Sequence, residues 1–94
     1  MFKTVIIGPQ ATFDINALRA YLNQPGSGVR SKALAKKIVK NIRQLRSTSD
    51  SYPEDQYWPE NKQMVIDSTY VVSFKIDGNN VIVKRVYGPG QNRP

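Results

Sequence analysis

From Phe2 to Ile7 the chain is rich in β-branched residues, and Gly8 and Pro9 stop the run, which predicts a short buried strand. The period then changes. Ala11, Ile15, Leu18 and Leu22 recur at helical spacing, one stripe that ends at the breakers of NQPGSG. A second helix is predicted from Val29 to Arg46, with Ser31 near its start as a cap. Its apolar face is Leu34, Ala35, Ile38, Ile42 and Leu45.

The stretch STSDSYPEDQYWPEN, Ser47 to Asn61, has no regular period and reads as a long loop. Its aromatics have a simple structural use, with Trp58 and one tyrosine packed over an open edge of the core. Three strands follow at Lys62 to Asp67, Thr69 to Asp77 and Asn80 to Tyr87, the last two joined by IDGNNV, a tight-hairpin signal. Strand alternation places Tyr70, Val72, Phe74 and Ile76 on one sheet face with Val81, Val83, Arg85 and Tyr87. On that register Arg85 and Tyr87 continue the inward face past its apolar part and protrude where the core gives out.

The predicted order is β-α-α-β-β-β, an α+β domain in which an antiparallel sheet carries a two-helix hairpin on one face. Residues 1–94 make one domain, and 88–94, GPGQNRP, read as a flexible tail.

Composition narrows the chemistry. There is no cysteine and no histidine, which removes disulfides, thiol nucleophiles, the commonest zinc ligands and the commonest base near neutral pH. No metal or cofactor is expected, and acid-base work falls to Tyr, Lys, Asp or Glu. The N-terminal apolar run is too short for a signal core or a membrane span, so the expectation is a cytoplasmic protein with no membrane partner.

Lys and Arg number 14 against 7 acids, a formal net charge of +7. On the second helix Lys32, Lys36, Lys40 and Arg43 repeat opposite the apolar face, with Arg46 alongside, and no acid lies between Arg19 and Asp50. A solvated outer face accounts for such a pattern, but solvated faces ordinarily mix signs, which favours a surface for a polyanionic partner. Lys84 and Arg93 add charge near the C-terminus.

The segment YVVSFKIDGNNVIVKRVYG, Tyr70 to Gly88, together with the Ala11, Asp14, Ile15 pattern of the first helix, resembles the RelE/ParE superfamily of bacterial type II toxins. The resemblance runs over nearly the whole chain and lies closer to the ParE side. It implies a growth-arresting toxin neutralised by a cognate antitoxin, an acidic and partly disordered peptide. It further implies one of two targets: DNA gyrase, inhibited by binding as in ParE, or the ribosome and its messenger RNA, cleaved as by RelE-type mRNA interferases.

On the RelE side, the family's cluster of basic residues and C-terminal tyrosine map to Arg85, Tyr87 and Lys62. Arg85 falls on the family's recurrent arginine. Several family positions are otherwise occupied: Val71 stands where RelE-like nucleases tend to carry an arginine, Met64 replaces a second lysine, and Tyr87 with Gly88 takes the place of a histidine. The target-binding candidates are Lys32, Lys36, Lys40, Arg43, Arg46, Lys84 and Arg93. Gyrase inhibition is therefore the leading expectation, with a metal-independent ribonuclease as the first alternative and a non-toxic basic binding module as the second. A quieter role for Arg85 and Tyr87 is a cation stacked on a ring to close the sheet.

Overall fold

The structure, a computed structural model, describes residues 2–89. Arg93 and most of the expected tail lie outside them; of that tail, Gly88 is buried and Pro89 exposed. The elements are β1 (Thr4–Ile7), α1 (Pro9–Leu22), α2 (Val29–Thr48), a 3-10 turn (Ser49–Ser51), β2 (Lys62–Ile66), β3 (Tyr70–Asp77) and β4 (Asn80–Tyr87).

Pro9 opens α1, where its missing N–H costs nothing and its fixed φ suits the first turn. Gly28, not Ser31, caps α2; Ser31 lies inside the first turn, and no side chain caps the end. The apolar stripes behave as their spacing predicts. Ala11 and Leu22 of α1 and Ala35, Ile38, Ile42 and Leu45 of α2 pack against Met64, Ile66, Tyr70, Val72, Phe74, Val81 and Val83 of the sheet. Phe74 is fully buried, so truncation to alanine removes contacts that cost about 3–5 kcal/mol to lose.

Two expectations about the sheet are corrected. Its order is β1-β4-β3-β2, and β1 runs parallel to β4 while the other pairs are antiparallel, so the sheet is mixed. The reason is connectivity. After the helical hairpin the chain enters at the far edge as β2 and meanders inward, so β4 arrives beside β1 pointing the same way. The second correction follows from the first, because β1 is an edge strand and not a buried one. With one flank unpaired, Ile6 is 42% exposed and Ile7 is exposed as well.

A bulge changes which residues face where. Phe74 pairs with Val83 but Ser73 pairs with Arg85, leaving Lys84 without a partner across the strand. Beyond that point β4 is out of step with simple alternation. Val86 opposite Val72 turns into the core, while Arg85 and Tyr87 pair with Ser73 and Val71 on the face away from the helices. The predicted continuation of Arg85 and Tyr87 along the inward face is therefore overturned by one inserted residue.

The turns store different amounts of strain. Gly78 takes φ 59° in the β3–β4 hairpin, where glycine pays no steric cost, whereas Asp67 (φ 51°) and Ser68 (φ 66°) take left-handed conformations between β2 and β3. Lys37 of α2 pairs with the Asp67 carboxylate and tethers that turn.

The 47–61 region is more ordered in plan than its composition implies. Ser47 and Thr48 extend α2, and Tyr52 sets its ring edge-on against Phe74, 6.0 Å between centroids at 88°. The expected aromatic plug is thus Tyr52. Trp58 stays 41% exposed. The chain from Pro53 to Asn61 folds back on β2 through bonds from Gln63 N to Pro53 O and from Asp55 N to Asn61 O.

Burial raises the pKa of the Tyr70 phenol above its usual 10.0. The sign of the consequence follows from linkage: the contribution is intact below about pH 10, where both states are neutral, and is lost as pH rises toward the folded pKa because the unfolded phenol ionises first. Denaturant melts from pH 9 to 11 should show a falling stability that Tyr70→Phe flattens; an unchanged slope in the variant would assign the effect elsewhere.

Candidate functional site

The site begins with an unpaired strand edge. The last β1–β4 pair is Ile7 opposite Val83, and the Gly8 N–H closes the ladder by donating to the Val83 carbonyl at 3.0 Å. A Cβ on residue 8 would meet that same oxygen at 3.0 Å, so the close approach is one reason for glycine here. β4 continues to Tyr87 with no strand on this flank. Its buried amides need partners.

α1 supplies one. Asp14, with a side chain only 6% exposed, accepts from the Val86 N–H at 3.0 Å and from Arg85 Nε at 2.8 Å, with Arg85 Nη2 to its other oxygen at 3.4 Å. One carboxylate thus satisfies a strand edge and neutralises a guanidinium. The hydrogen bond to Asp14 pushes the Arg85 pKa further up, so the cation persists at any working pH. The guanidinium carbon lies 5.0 Å from the centroid of the Tyr87 ring, and Tyr87 is only 4% exposed.

Neither residue protrudes freely, which corrects the expectation that both stand clear of the core. The bulge turns them to the outer face, and Asp14 then draws the guanidinium onto α1. The Arg85 side chain remains 39% exposed and borders a shallow outer-face hollow of about 290 Å³ with Trp58, Lys75 and Lys84. Lys62 is elsewhere. It sits opposite Phe74 on the helix side of the sheet, and its Nζ donates to the Tyr52 carbonyl at 2.7 Å. Arg85 and Tyr87 are therefore brought together, and Lys62 is not.

Asp55 shapes the rim of the hollow. Buried, it accepts from the Tyr57 and Trp58 amides at 2.8 and 3.3 Å, and Asn61 Nδ2 reaches Ser73 Oγ at 3.2 Å, which pins the loop over β3. Trp58 is held by backbone bonds and leaves much of its ring to solvent.

The basic residues divide between two surfaces. Lys36, Lys40, Arg43 and Arg46 line an open groove of about 800 Å³ bounded by α2, α1 and β1. Lys3 of β1's approach and Arg19 of α1 join them there. Lys32 is exposed but lies outside the groove lining, and Lys84 is on the opposite side of the sheet. A smaller, more apolar cleft of about 360 Å³ adjoins the groove, lined by Val5, Ile7, Ile15, Val39 and Ile42 and rimmed by Arg19 and Arg43.

No family model matches the sequence, and no curated protein matches it significantly. Solved structures do match. A chain of the chromosomal ParDE toxin–antitoxin system from P. aeruginosa superposes with a TM-score of 0.77 at 11% identity, over 94% of this chain and 97% of that one. A chain of the RelBE2 toxin–antitoxin complex from Mycobacterium tuberculosis gives 0.68 at 16% identity, over 94% and 99%. A conserved hypothetical protein from Helicobacter pylori gives 0.61 at 10% identity, over 92% and 93%. The chain has the RelE/ParE toxin fold.

Within that RelE/ParE frame, sequence reasoning missed the partner of Arg85 and two cations of the groove. Asp14 was legible in principle, since an acid on the apolar side of α1, between Ala11 and Leu18, demands a buried partner. Lys3 and Arg19 carried no such signal, because only the packing of three elements brings them to α2. Among the described residues no helix is long and apolar enough to cross a membrane.

Removing Asp14 strands the Val86 amide and frees a half-exposed guanidinium. Asp14→Ala should lower unfolding free energy by about 2–3 kcal/mol, read as a drop of roughly 10–20 °C in Tm. Arg85→Ala should also destabilise, by leaving a buried carboxylate with less compensation. A melt of Asp14→Ala within a degree of the parent would refute the clasp.

Proposed function

We propose that this chain is the toxin of a toxin–antitoxin pair and that it arrests growth by binding DNA gyrase, in the manner of the ParE toxins whose fold it shares. The observation that carries the choice is the separation of Lys62 from Arg85 and Tyr87. Cleaving RNA without a metal calls for an acid, a base and cations gathered on one phosphate. Lys62 and Arg85 lie on opposite faces of the sheet, Arg85 is held by Asp14, and Tyr87 is buried beneath it. A binding mechanism asks for none of that convergence.

The partner implied by this reading is an acidic, partly disordered antitoxin peptide that folds as it binds. The free edge of β1 offers unpaired backbone groups, and the apolar cleft beside it takes aliphatic anchors while Arg19 and Arg43 meet carboxylates. Such a peptide would cover exposed Ile7 and part of the basic groove in one step.

One observation favours a second reading. Lys75, Lys84 and Arg85 border the same outer hollow as exposed Trp58 and one acid, Glu60, a mainly cationic surface with a stacking ring, which suits an RNA-cleaving mode on the ribosome. Two assays on purified protein separate the readings. We expect gyrase supercoiling to be inhibited and ribosome-bound messenger to stay intact; cleaved messenger with normal supercoiling would replace the first reading by the second. Inactivity in both, with no growth arrest on expression, would leave a non-toxic basic binding module.

A further inference from the structure

We propose that the groove between β1, α1 and α2 binds the sugar-phosphate backbone of duplex DNA without reading its sequence. The proposal goes beyond the gyrase reading, because it assigns DNA contact to this chain alone.

Six cations line the groove, Arg19 from α1, Lys36, Lys40, Arg43 and Arg46 from α2, and Lys3 just before β1. No carboxylate lines it. Lys3 is paired with Asp50 at 2.8 Å, and the Arg46 guanidinium lies 4.7 Å over the Phe2 ring, an arrangement that keeps its charge. Arg19, Lys36, Lys40 and Arg43 have no ion pair among the described residues. Like charges gathered this way repel one another, and a face kept only for solubility would intersperse acids. A polyanion relieves that repulsion by replacing counterions. Asn23 and Gln44 add neutral donors to the same lining, the kind that phosphate oxygens accept from.

Three features select duplex DNA among polyanions. No aromatic side chain lines the groove, and the exposed Phe2 ring beside it is stacked against Arg46, so unpaired bases find no row of rings to stack on and a single strand gains little over a double one. The groove cations of α2, from Lys36 to Arg46, span about 15 Å of helix, over which one strand of a duplex presents about four phosphates. An acidic peptide with apolar anchors is better served by the neighbouring cleft, which is bordered by Arg19 and Arg43 but not by Lys36, Lys40 or Arg46. Those three cations are left for a ligand that is charged along its whole length. Because Arg19 and Arg43 border both surfaces, an acidic peptide in the cleft competes with DNA for part of the groove.

The test is fluorescence anisotropy of a labelled, mixed-sequence duplex with the full chain, across a salt series. Expected is a log–log slope near −4, falling by about 2.7 in a Lys36→Gln, Lys40→Gln, Arg43→Gln triple variant, at roughly 0.9 per phosphate contact. Two single variants separate position from net charge. Lys40→Gln should shift the slope by about 0.9, while Lys37→Gln, which loses the same charge from α2 outside the groove lining, should not. Equal slopes for those two would overturn the groove assignment and leave only nonspecific net charge. Polyglutamate displacing the duplex as effectively per charge as unlabelled duplex would reassign the groove to an acidic polypeptide. Tighter binding of the single strand would also overturn the proposal. A chain that blocks supercoiling yet ignores duplex defeats this inference and spares the gyrase reading. Circular dichroism melts confirm that each variant, all at exposed positions, is folded.

Discussion

The last turns of β4 depend on one carboxylate. Where β1 stops, the sheet would present a buried edge amide to apolar surroundings, and an open edge of that kind is either covered or a liability. Asp14 covers it from α1, and the same oxygens hold Arg85, so helix and strand are joined by a charge-assisted network of short bonds. The position of α1 follows from this contact as much as from its short apolar stripe of Ala11, Ile15, Leu18 and Leu22. It also explains why an arginine so near the sheet's end need not be a catalytic group: its charge is already answered from within.

The large-scale plan was legible because each element states its period. α2 needs no interpretation beyond its 3.6-residue stripe, and the β3–β4 hairpin is announced by Gly78 and the asparagines after it. What alternation does not reveal is the bulge at Lys84. The run Val83-Lys84-Arg85-Val86-Tyr87 is acceptable in either phase beyond Val83, since one register turns Tyr87 to the core and the other Val86, and the clasp to Asp14 goes with the second. The parallel pairing of β1 was hidden for a related reason. A short β-branched run reads as buried, yet strand order depends on how the chain returns from the helices, which no local pattern records. The aromatic loop was half legible: a tyrosine does seal the core, but it is Tyr52, because its ring can reach Phe74, and the larger Trp58 is held outward by the turn that Asp55 organises.

The distribution of charge is the complement of this economy in the interior. Apart from Asp14, the buried carboxylate of the described residues is Asp55, which serves its own loop. The cations of α2 are therefore not consumed by folding. Lys37 spends its charge on the Asp67 turn, and Lys3 on Asp50, but the groove row from Lys36 to Arg43 contributes little to holding the fold. Exposed pairs of the Lys37 type are worth a fraction of a kcal/mol, so they tether a turn without committing the helix face.

The same separation is consistent with a fold shared at 10 to 16% identity with solved structures. Two helical stripes, an alternating sheet face and a partner for the open end of β4 are enough to specify the architecture, and many residue sets meet those demands. The surfaces are then free to diverge, and activity has to be read from what each surface presents. In this chain the outer face offers Trp58 with a few cations, one already clamped, while the α2 side offers a groove in which, among the described residues, only Lys3 is answered by an acid, Asp50. Electrostatic work available for a partner is concentrated where the fold has no use for it, which is the physical reason to look for the chain's action on that side.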